Sequence, residues 1–398
     1  MRPVEEHAAT VAALIGATGT ETVVLADARG RVLAADLTSP VALPPFDNSA
    51  MDGYAVRAAD VATTPTTLPV PEDVPAGRVD GPPLAPGTAH RIMTGAAVPA
   101  GADAVVQVEW TDGGLPGGEV RVDRAVDAGQ SVRRAGDDVT AGQVVLTAGT
   151  VLGPAQIGLA AAVGAPELTV HRRPRVLVLS TGSELVAPGE PLRHGQIHES
   201  NGPMLAAAVE DAGGEARLLR FVPDDVDEFL TTLDAALAEP TDLVITSGGV
   251  SAGAYEVVKD AFATRGVTFT KVAMQPGMPQ GAGRYQDRVA VVTLPGNPVS
   301  SLVSYEVFVR PALRRAGGHP HPDRARVRAR VAEDLRSPDG RRQYRRGRLD
   351  LDGTVAPVGG AGSHLLAALA LADCLFVVPA EVTEVAAGTE VEVWLLES

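Results

Sequence analysis

The sequence predicts a multidomain protein of the α/β plus β class, and three observations support this prediction. The chain has 398 residues, enough for two or more domains. Residues 172–316 alternate apolar strands with helical patterns, whereas residues 20–150 and 323–398 hold short β-like runs between Gly and Pro turns. We therefore expect a doubly wound α/β domain, preceded by a β-rich domain and followed by a C-terminal β-barrel or sandwich.

The change of pattern along the chain also predicts domain boundaries. The expected parts are a partly helical N-terminal linker domain (1–40 and 145–170), the β-rich domain (41–144), the α/β domain (171–318) and the C-terminal β domain (323–398). A helix is predicted over about residues 3–15, and we group it with the N-terminal linker domain.

Within residues 172–316, apolar strands run into Gly-rich turns and then into helices. The predicted strands are VLVLS (176–180), DLVITSGG (242–249) and VAVVTLPGNP (289–298). The predicted helices are Asn201–Ala212, with Asn201 as N-cap and Gly213 as stop, Asp224–Glu239, and about Val299–Arg315. Sheets of this kind bind ligands beyond the carboxyl ends of their strands.

Composition excludes several classes of function. The chain has 49 acidic and 34 basic residues, for a net charge of −15, and only 4% aromatic residues, which argues against a nucleic-acid partner. Its one cysteine, Cys374, cannot form an internal disulfide, so a reducing cytoplasm is expected and core packing is its expected role. The chain begins without a signal-peptide pattern and has no apolar run of about 18 residues, so no membrane span is expected.

Three Gly-rich loops are expected to meet at one edge of the α/β sheet: TGSEL (181–185), SGGVSAG (247–253) and LPGNPVSS (294–301). Backbone N–H groups in such loops can hold a phosphate or another oxyanion. Each loop alone is equally consistent with an ordinary turn or a helix start, with Pro298 and Ser300 opening the helix in the third. Their convergence favours a ligand site.

Four carboxylates accompany these loops: Glu184, Asp224, Asp242 and Glu256. Asp224 is typical of a helix N-cap, and Asp242 is expected only to lead into its strand. Carboxylates beside an anion site repel the ligand unless a cation lies between them, which favours Mg²⁺ near Glu184. There is no compact His or Cys ligand motif, and we do not expect the scattered His194, His198 and His364 to act as bases.

The segment Pro44–Arg57, PPFDNSAMDGYAVR, concentrates short polar residues before a strand pattern. Its simplest interpretation is an Asx-turn followed by the strand YAV. A functional role is the alternative, which the chemistry of the segment alone does not favour.

A resemblance favours the functional role of this segment over a simple turn, because the segment is the first of six motifs that occur in order. The others are IMTGAAVPAGADAVV (92–106), VRRAGDDV (132–139), STGSEL (180–185), TSGGVSAG (246–253) and LPGNPVSS (294–301). Together they resemble the molybdopterin molybdenumtransferase family, which includes the E domain of gephyrin. The resemblance covers nearly the whole chain, through GAGSH (360–364). It implies that adenylylated molybdopterin receives molybdate and that AMP is released in the presence of Mg²⁺.

The resemblance also implies an elongated homodimer, in which the β-rich region of one copy faces the α/β domain of the other. The catalytic residues that it implies are Asp52, Thr94, Asp138, Glu184, Asp224 and Glu256. As hypotheses, Asp52 and Glu184 hold Mg²⁺ or its water, and Lys271, Arg346 and Ser363 bind oxyanions. The implied substrate-binding set is completed by Ser247, Gly248, Gly249, Ser251 and Gly253 of the second loop and Pro295, Asn297, Pro298 and Ser300 of the third.

The sequence departs from the family pattern in the stretch AMQPGMPQG (273–281). Family members commonly carry lysines at the positions of Gln275 and Met278, and losing two cations weakens an anion site. Four alternatives follow: the enzyme has a lower affinity for molybdate, its oxyanion preference is altered, for example towards tungstate, other basic residues such as Arg284 replace the lysines, or the chain is a non-catalytic pterin-binding or scaffold paralogue.

Overall fold

The centre of the molecule is a six-stranded sheet, seen in a computed structural model that describes residues 1–78, 80–222, 225–248 and 257–396. From edge to edge its strands are Glu215–Val222, Arg175–Thr181, Leu243–Ser247, Val289–Leu294, Pro279–Tyr285 and Val267–Lys271. The first four are parallel, and Pro279–Tyr285 runs antiparallel to both of its neighbours. The predicted strands are therefore confirmed, and they occupy the middle of this sheet.

Helices cover both faces of this central sheet. They are Asn201–Asp211, Val226–Ala236, Val257–Ala263 and Pro298–Ser304, the last continuing through a π-helical turn, Tyr305–Val309, into Arg310–Ala316. Alternate residues of one strand enter two different cores: Val176 and Val178 face one set of helices, and Leu177 and Leu179 face the other. Burial on both faces explains the continuous apolar runs and confirms the doubly wound class.

Two helix starts differ from the prediction. Asn201 lies inside its helix, after Ser200, and is not its cap. Asp225 caps the next helix, where its carboxylate accepts hydrogen bonds from the backbone N–H groups of Asp227 and Glu228. The residue first expected in that role, Asp224, lies outside the described residues.

The N-terminal helix Val4–Leu14 packs against the central sheet, away from the unit with which we grouped it. Val4 and Val11 share a core with the sheet, and the His7 ring meets Phe308 edge to face at 4.7 Å between centroids. The Arg284 guanidinium donates to the carbonyl of Leu14 at 2.8 Å. The helix carries its own apolar face, and only the tertiary structure determines which core receives it.

The remaining N-terminal segments form small β units. Thr20–Val24 pairs with Glu167–His171, Leu37–Thr38 pairs with Val144–Leu146, and the helix Pro154–Ala162 packs beside them. In the β-rich region a four-stranded sheet contains Glu72–Val74, His90–Ile92, Gly53–Val56 and Ala104–Gln107 in that order. Two further pairs flank it: Thr66–Pro69 with Glu119–Val122, and Asn48–Ser49 with Val132–Arg133.

The C-terminal region is a closed barrel, which decides between the two predicted forms. Its strands are Arg326–Val331, Arg342–Leu349, Thr354–Pro357, Cys374–Val378 and Glu390–Leu395. Closure comes from Arg342–Leu349, which pairs with both Thr354–Pro357 and Cys374–Val378. Cys374 is fully buried in the barrel core, as expected.

Shorter elements complete the fold. They are Met274–Gln275, which extends the barrel beside Arg342–Leu349, the pairs Leu185–Val186 with Ile197–His198 and Leu335–Arg336 with Glu384–Val385, and the helix Leu366–Ala370. Within the described ranges no helix is long and apolar enough to cross a membrane.

Candidate active site at the carboxyl edge of the central sheet

A cavity of about 810 Å³ opens at the carboxyl ends of the parallel strands. Parts of all three predicted loops line it: Ser180–Leu185, Ser247–Gly248, and Gly296 with Pro298. The convergence predicted from the sequence is thus confirmed, since parallel strands end at the same edge of a sheet. The volume lies in the range of ordinary small-molecule sites, roughly 300–1,000 Å³.

Glu184 is the exposed carboxylate on the wall of this cavity. It follows Gly182, whose φ of +146° belongs to the conformations that glycine adopts most readily. A Cβ atom at position 182 would come within 2.6 Å of a carboxylate oxygen of Glu184. Gly182 therefore gives the carboxylate the space to fold back over the loop.

Two residues that the sequence analysis did not place in the site connect the loops. Oε1 of Glu199 accepts hydrogen bonds from the Ser180 hydroxyl at 2.9 Å and from the backbone N–H of Gly202 at 2.6 Å. Nδ2 of Asn201 donates to Oγ of Ser247 at 2.7 Å and to the carbonyl of Gly296 at 2.7 Å. The stretch ESNG (199–202) therefore contacts all three loops, and its only sequence signal was a plausible helix cap.

The second and third loops approach each other through glycine. Gly248 has a φ of +96°, and a Cβ atom on Gly296 would meet the Cα of Gly248 at 3.4 Å. In the third loop, Pro298 is the first helical residue, as predicted, and Asn297 is exposed. Pro295 and Ser300 are buried and do not line the cavity, so their side chains support the loop from within.

The barrel supplies a further wall through a segment that we call the clamp loop, residues 358–364. Arg346 is 5% exposed, and its guanidinium donates to the carbonyls of Val358, Gly360 and Gly362. Burial lowers the pKa of Arg346, and the neighbouring Arg345 adds to this effect. The guanidinium that we assigned to an oxyanion is thus bonded to backbone oxygens of its own domain.

The clamp loop reaches the cavity beyond these contacts. The carbonyl of Ser363 accepts a hydrogen bond from the N–H of Val299 at 3.1 Å, at the start of the third loop's helix. His364, the next residue, lines the cavity. Two of the three histidines discounted from sequence, His198 and His364, therefore line the cavity, and the docking of the barrel brings His364 there.

The region with missing lysines lies at the junction of the central sheet and the barrel. The carboxamide of Gln343 donates to Oε1 of Gln275 at 2.8 Å, and Met278 is half-buried. Lys271 is exposed at the end of its strand. Arg284 is bonded to Leu14, so it is committed to the N-terminal helix and does not replace the missing cations.

Asp52 and Thr94 form a separate polar pair in the β-rich region. Oδ1 of Asp52 accepts hydrogen bonds from the backbone N–H and the hydroxyl of Thr94 at 2.6 and 2.8 Å. The N–H and then the hydroxyl of Thr94 lower the pKa of Asp52, which is therefore ionised at neutral pH. Both residues are exposed, and neither lines the cavity.

Asp138 is exposed on a nearby turn, which is bonded to the start of the segment Pro44–Arg57 through Leu43 and Pro44. Asp242, by contrast, is structural. Burial alone would raise its pKa, but hydrogen bonds from Arg172 and from the N–H of Arg175 outweigh burial and lower it. Five expected site residues lie outside the described residues: Asp224, Gly249, Ser251, Gly253 and Glu256.

Comparison with known proteins identifies the class of protein to which this chain is similar. Residues 2–164 match the MoeA N-terminal region (domain I and II), and residues 328–396 match the MoeA C-terminal region (domain IV). Residues 177–315, which carry the cavity loops, match a "probable molybdopterin binding domain".

Relatives along the whole chain agree with these matches. Molybdopterin molybdenumtransferases 2 and 1 of Mycobacterium tuberculosis are 54% and 40% identical, over 99% and 100% of this chain and 99% of each relative. The crystal structure of a molybdopterin biosynthesis MoeA protein from Pyrococcus horikosii is similar, with a TM-score of 0.84 at 32% identity over 100% of this chain and 99% of that one. The chain belongs to the molybdopterin molybdenumtransferase family, a family of transferase enzymes, and the resemblance of the six motifs is confirmed.

Proposed function

We propose that this protein inserts molybdate into adenylylated molybdopterin, releases AMP and so forms the molybdenum cofactor. The observation that carries the proposal is the cavity at the carboxyl edge of the central sheet, whose loops lie within the region matched to a molybdopterin-binding domain. Whole-chain identity of 54% to a protein named molybdopterin molybdenumtransferase supports the same reaction.

The cavity suits a ligand that combines phosphate groups with a flat heterocycle. Glycines at positions 182, 248 and 296 allow backbone to approach such a ligand closely, and backbone N–H groups favour phosphate oxygens. Ser247 and the described part of its loop form the floor in this proposal, while His364 closes the side towards the barrel. Breaking the phosphoanhydride bond would release AMP from this pocket.

Mg²⁺ is part of the proposal, and the donors present fit one common mode of binding this ion. Among the described residues, no three His, Cys, Asp or Glu side chains are grouped so as to hold a metal ion. Mg²⁺ is commonly held by one or two carboxylates together with waters and substrate phosphates, so a single cavity carboxylate fits this mode. Glu184, with Asp52 of a second copy, would hold the ion, which would neutralise charge on the phosphates.

We further propose that the active enzyme is a homodimer that works in the cytoplasm. Asp52 and Thr94 point to this arrangement, because they form an exposed polar pair in a region that does not line the cavity of their own chain. Phe46 and Met93, from the same two segments, are 47% and 42% exposed, which is typical of a surface that another molecule covers. The second copy would bring this surface to the cavity.

The test is an assay of AMP release. Purified protein is incubated with adenylylated molybdopterin, Mg²⁺ and molybdate, and AMP is quantified by chromatography. The proposal expects molybdate-dependent AMP release, and a yield no higher than that without protein would contradict it. A parallel series with tungstate separates a molybdate enzyme from one with altered oxyanion preference, because the preferred oxyanion gives the higher kcat/KM.

A further inference from the structure

The carboxyl edge of the central sheet contains a connection that none of the loop motifs includes. Its residues are Glu199 and Asn201, which lie at the start of the helix Asn201–Asp211. We propose that these two are positioning residues, which fix the three ligand loops relative to one another before substrate binds. The inference rests on the proposed function, because it assigns the loops to the substrate pocket.

Glu199 fixes the first loop to the helix. The residue is 2% exposed, and one of its oxygens accepts both from the Ser180 hydroxyl, at 2.9 Å, and from the N–H of Gly202, at 2.6 Å. A Cβ atom on Gly202 would come within 2.8 Å of Oγ of Ser180 and 2.7 Å of Leu218. Glycine at position 202 therefore permits the close approach on which the Glu199 bonds depend.

Asn201 fixes the second loop to the third. Its Nδ2 donates to Ser247 at the end of one strand and to Gly296 beyond the end of the next, both at 2.7 Å. The carbonyl of Gly296 can only accept, so the NH₂ side of the carboxamide must face it. The separation of the two loops is thus set by the two hydrogens of one nitrogen atom.

In each of the two residues, one polar atom of the side chain is hydrogen-bonded within the described part of the chain and the other is not, so the two atoms can be tested separately. Oε2 of Glu199 and Oδ1 of Asn201 are buried without a hydrogen-bond partner among the described residues. Replacing Glu199 by Gln changes only the unpartnered oxygen and keeps the accepting one. Replacing Asn201 by Asp instead places a carboxylate oxygen against the Gly296 carbonyl, and the two oxygens repel each other.

The first experiment compares Asn201→Asp with wild type by AMP release and by amide hydrogen exchange of the ligand-free protein. We expect KM for adenylylated molybdopterin to rise about tenfold, the effect of roughly one lost hydrogen bond, and exchange to accelerate in the segment 294–298. Asp242→Asn is the matched control, because it weakens a half-buried ion pair with Arg172 at the other end of the same sheet. It should lower Tm without changing KM.

A KM for Asn201→Asp within about twofold of wild type would overturn the role of Asn201. An equal rise in KM for Asp242→Asn would also overturn it, because the effect would then follow stability and not loop position. If the wild-type protein releases no AMP, the proposed function fails, whereas the exchange measurement still decides whether Asn201 orders the loops.

The second experiment separates position from charge at Glu199. Glu199→Ala should raise KM about tenfold, and Glu199→Gln should recover most of that loss because both accepted hydrogen bonds remain. A Gln variant as impaired as the Ala variant would show that the negative charge itself is required, which would overturn the positioning role.

Discussion

The cavity at the carboxyl edge and the Asp52–Thr94 pair are both polar sites, but they are built in opposite ways. In the cavity, Ser180, Glu199 and Ser247 are 1–3% exposed, and their hydrogen bonds join loops that are distant in sequence. Asp52 is exposed, and within the described ranges the hydrogen bonds to its carboxylate come from Thr94 alone. The geometry of the cavity is therefore fixed by hydrogen bonds within one chain, whereas the Asp52–Thr94 pair is exposed on the surface.

This difference indicates a separate role for each of the two sites in the proposed reaction. Buried, cross-linked loops hold a fixed geometry and suit the binding of a large substrate. An exposed carboxylate that is ionised and held by Thr94 suits a contribution to a site that forms when two surfaces meet. The following experiments test this division, beginning with the largest expected effect.

Replacing Asp52 by Ala should lower kcat for AMP release about 100-fold or more, as for the loss of a group that stabilises charge in the transition state. The fold should persist, because the side chain is exposed. Asp47→Ala is the matched control, since Asp47 is a half-buried aspartate of the same segment and accepts hydrogen bonds from Arg134 and the N–H of Ala135. Near-wild-type activity in Asp52→Ala would remove Asp52 from the proposed site.

Mixing two inactive variants tests whether the halves of the site come from different copies. Random pairing of Asp52→Ala and Glu184→Ala chains in a homodimer should restore about a quarter of wild-type activity, because half of the dimers contain one intact site. AMP release is measured after co-expression, and native mass spectrometry checks that mixed dimers are present. Mixed dimers without activity would place both carboxylates in the same chain's site.

Restoring a cation near the barrel should have a smaller effect. Gln275→Lys is expected to lower the apparent KM for molybdate several-fold, because a cation attracts the oxyanion more strongly than a carboxamide does. Loss of the Gln343 contact should lower Tm slightly. Leu351→Lys adds the same charge at a fully exposed position of the barrel and is the control. Equal KM values for the two variants would exclude Gln275 from the molybdate site.

The smallest effect on activity is expected at His7, which is fully buried and distant from both sites in sequence. Burial, with a further contribution from Arg2, lowers its pKa from 6.5 to about 4. Below pH 6.5 the unfolded chain binds a proton at His7 that the folded chain does not bind. The contribution of His7 to the free energy of unfolding is therefore complete above pH 6.5 and is lost as the pH falls towards 4, by up to roughly 3 kcal/mol.

Denaturant unfolding at pH 7 and pH 4.5 measures this loss. His7→Leu should make the free energy of unfolding less dependent on pH than in wild type, while kcat at pH 7 stays within about twofold, since His7 does not line the cavity. His194→Leu, at an exposed histidine, is the control. An unchanged pH dependence in His7→Leu would show that the imidazole is not the group that titrates.

Local patterns in the sequence predicted the parts of this protein that depend on neighbouring residues. The apolar runs at 176–180, 242–249 and 289–298 predicted strands, because residues buried on both faces of a sheet leave a continuous apolar pattern. Pro298 predicted its helix start, since its fixed φ suits the first helical position. Six ordered motifs predicted the family, and so the expected site residues.

Hydrogen-bond partners that are far apart in sequence decided how these elements are connected. Asn201 has the pattern of a cap, but its amide reaches Ser247 and Gly296, 46 and 95 residues away. Arg346 has the pattern of an anion ligand, but its guanidinium donates hydrogen bonds to backbone carbonyls of the clamp loop. Helix and strand patterns arise from local backbone geometry, whereas the choice of a hydrogen-bond partner depends on which chain segments the packed core brings together. The sequence by itself therefore determined the class, the family and the loops, and only the tertiary structure decided which side chains connect them.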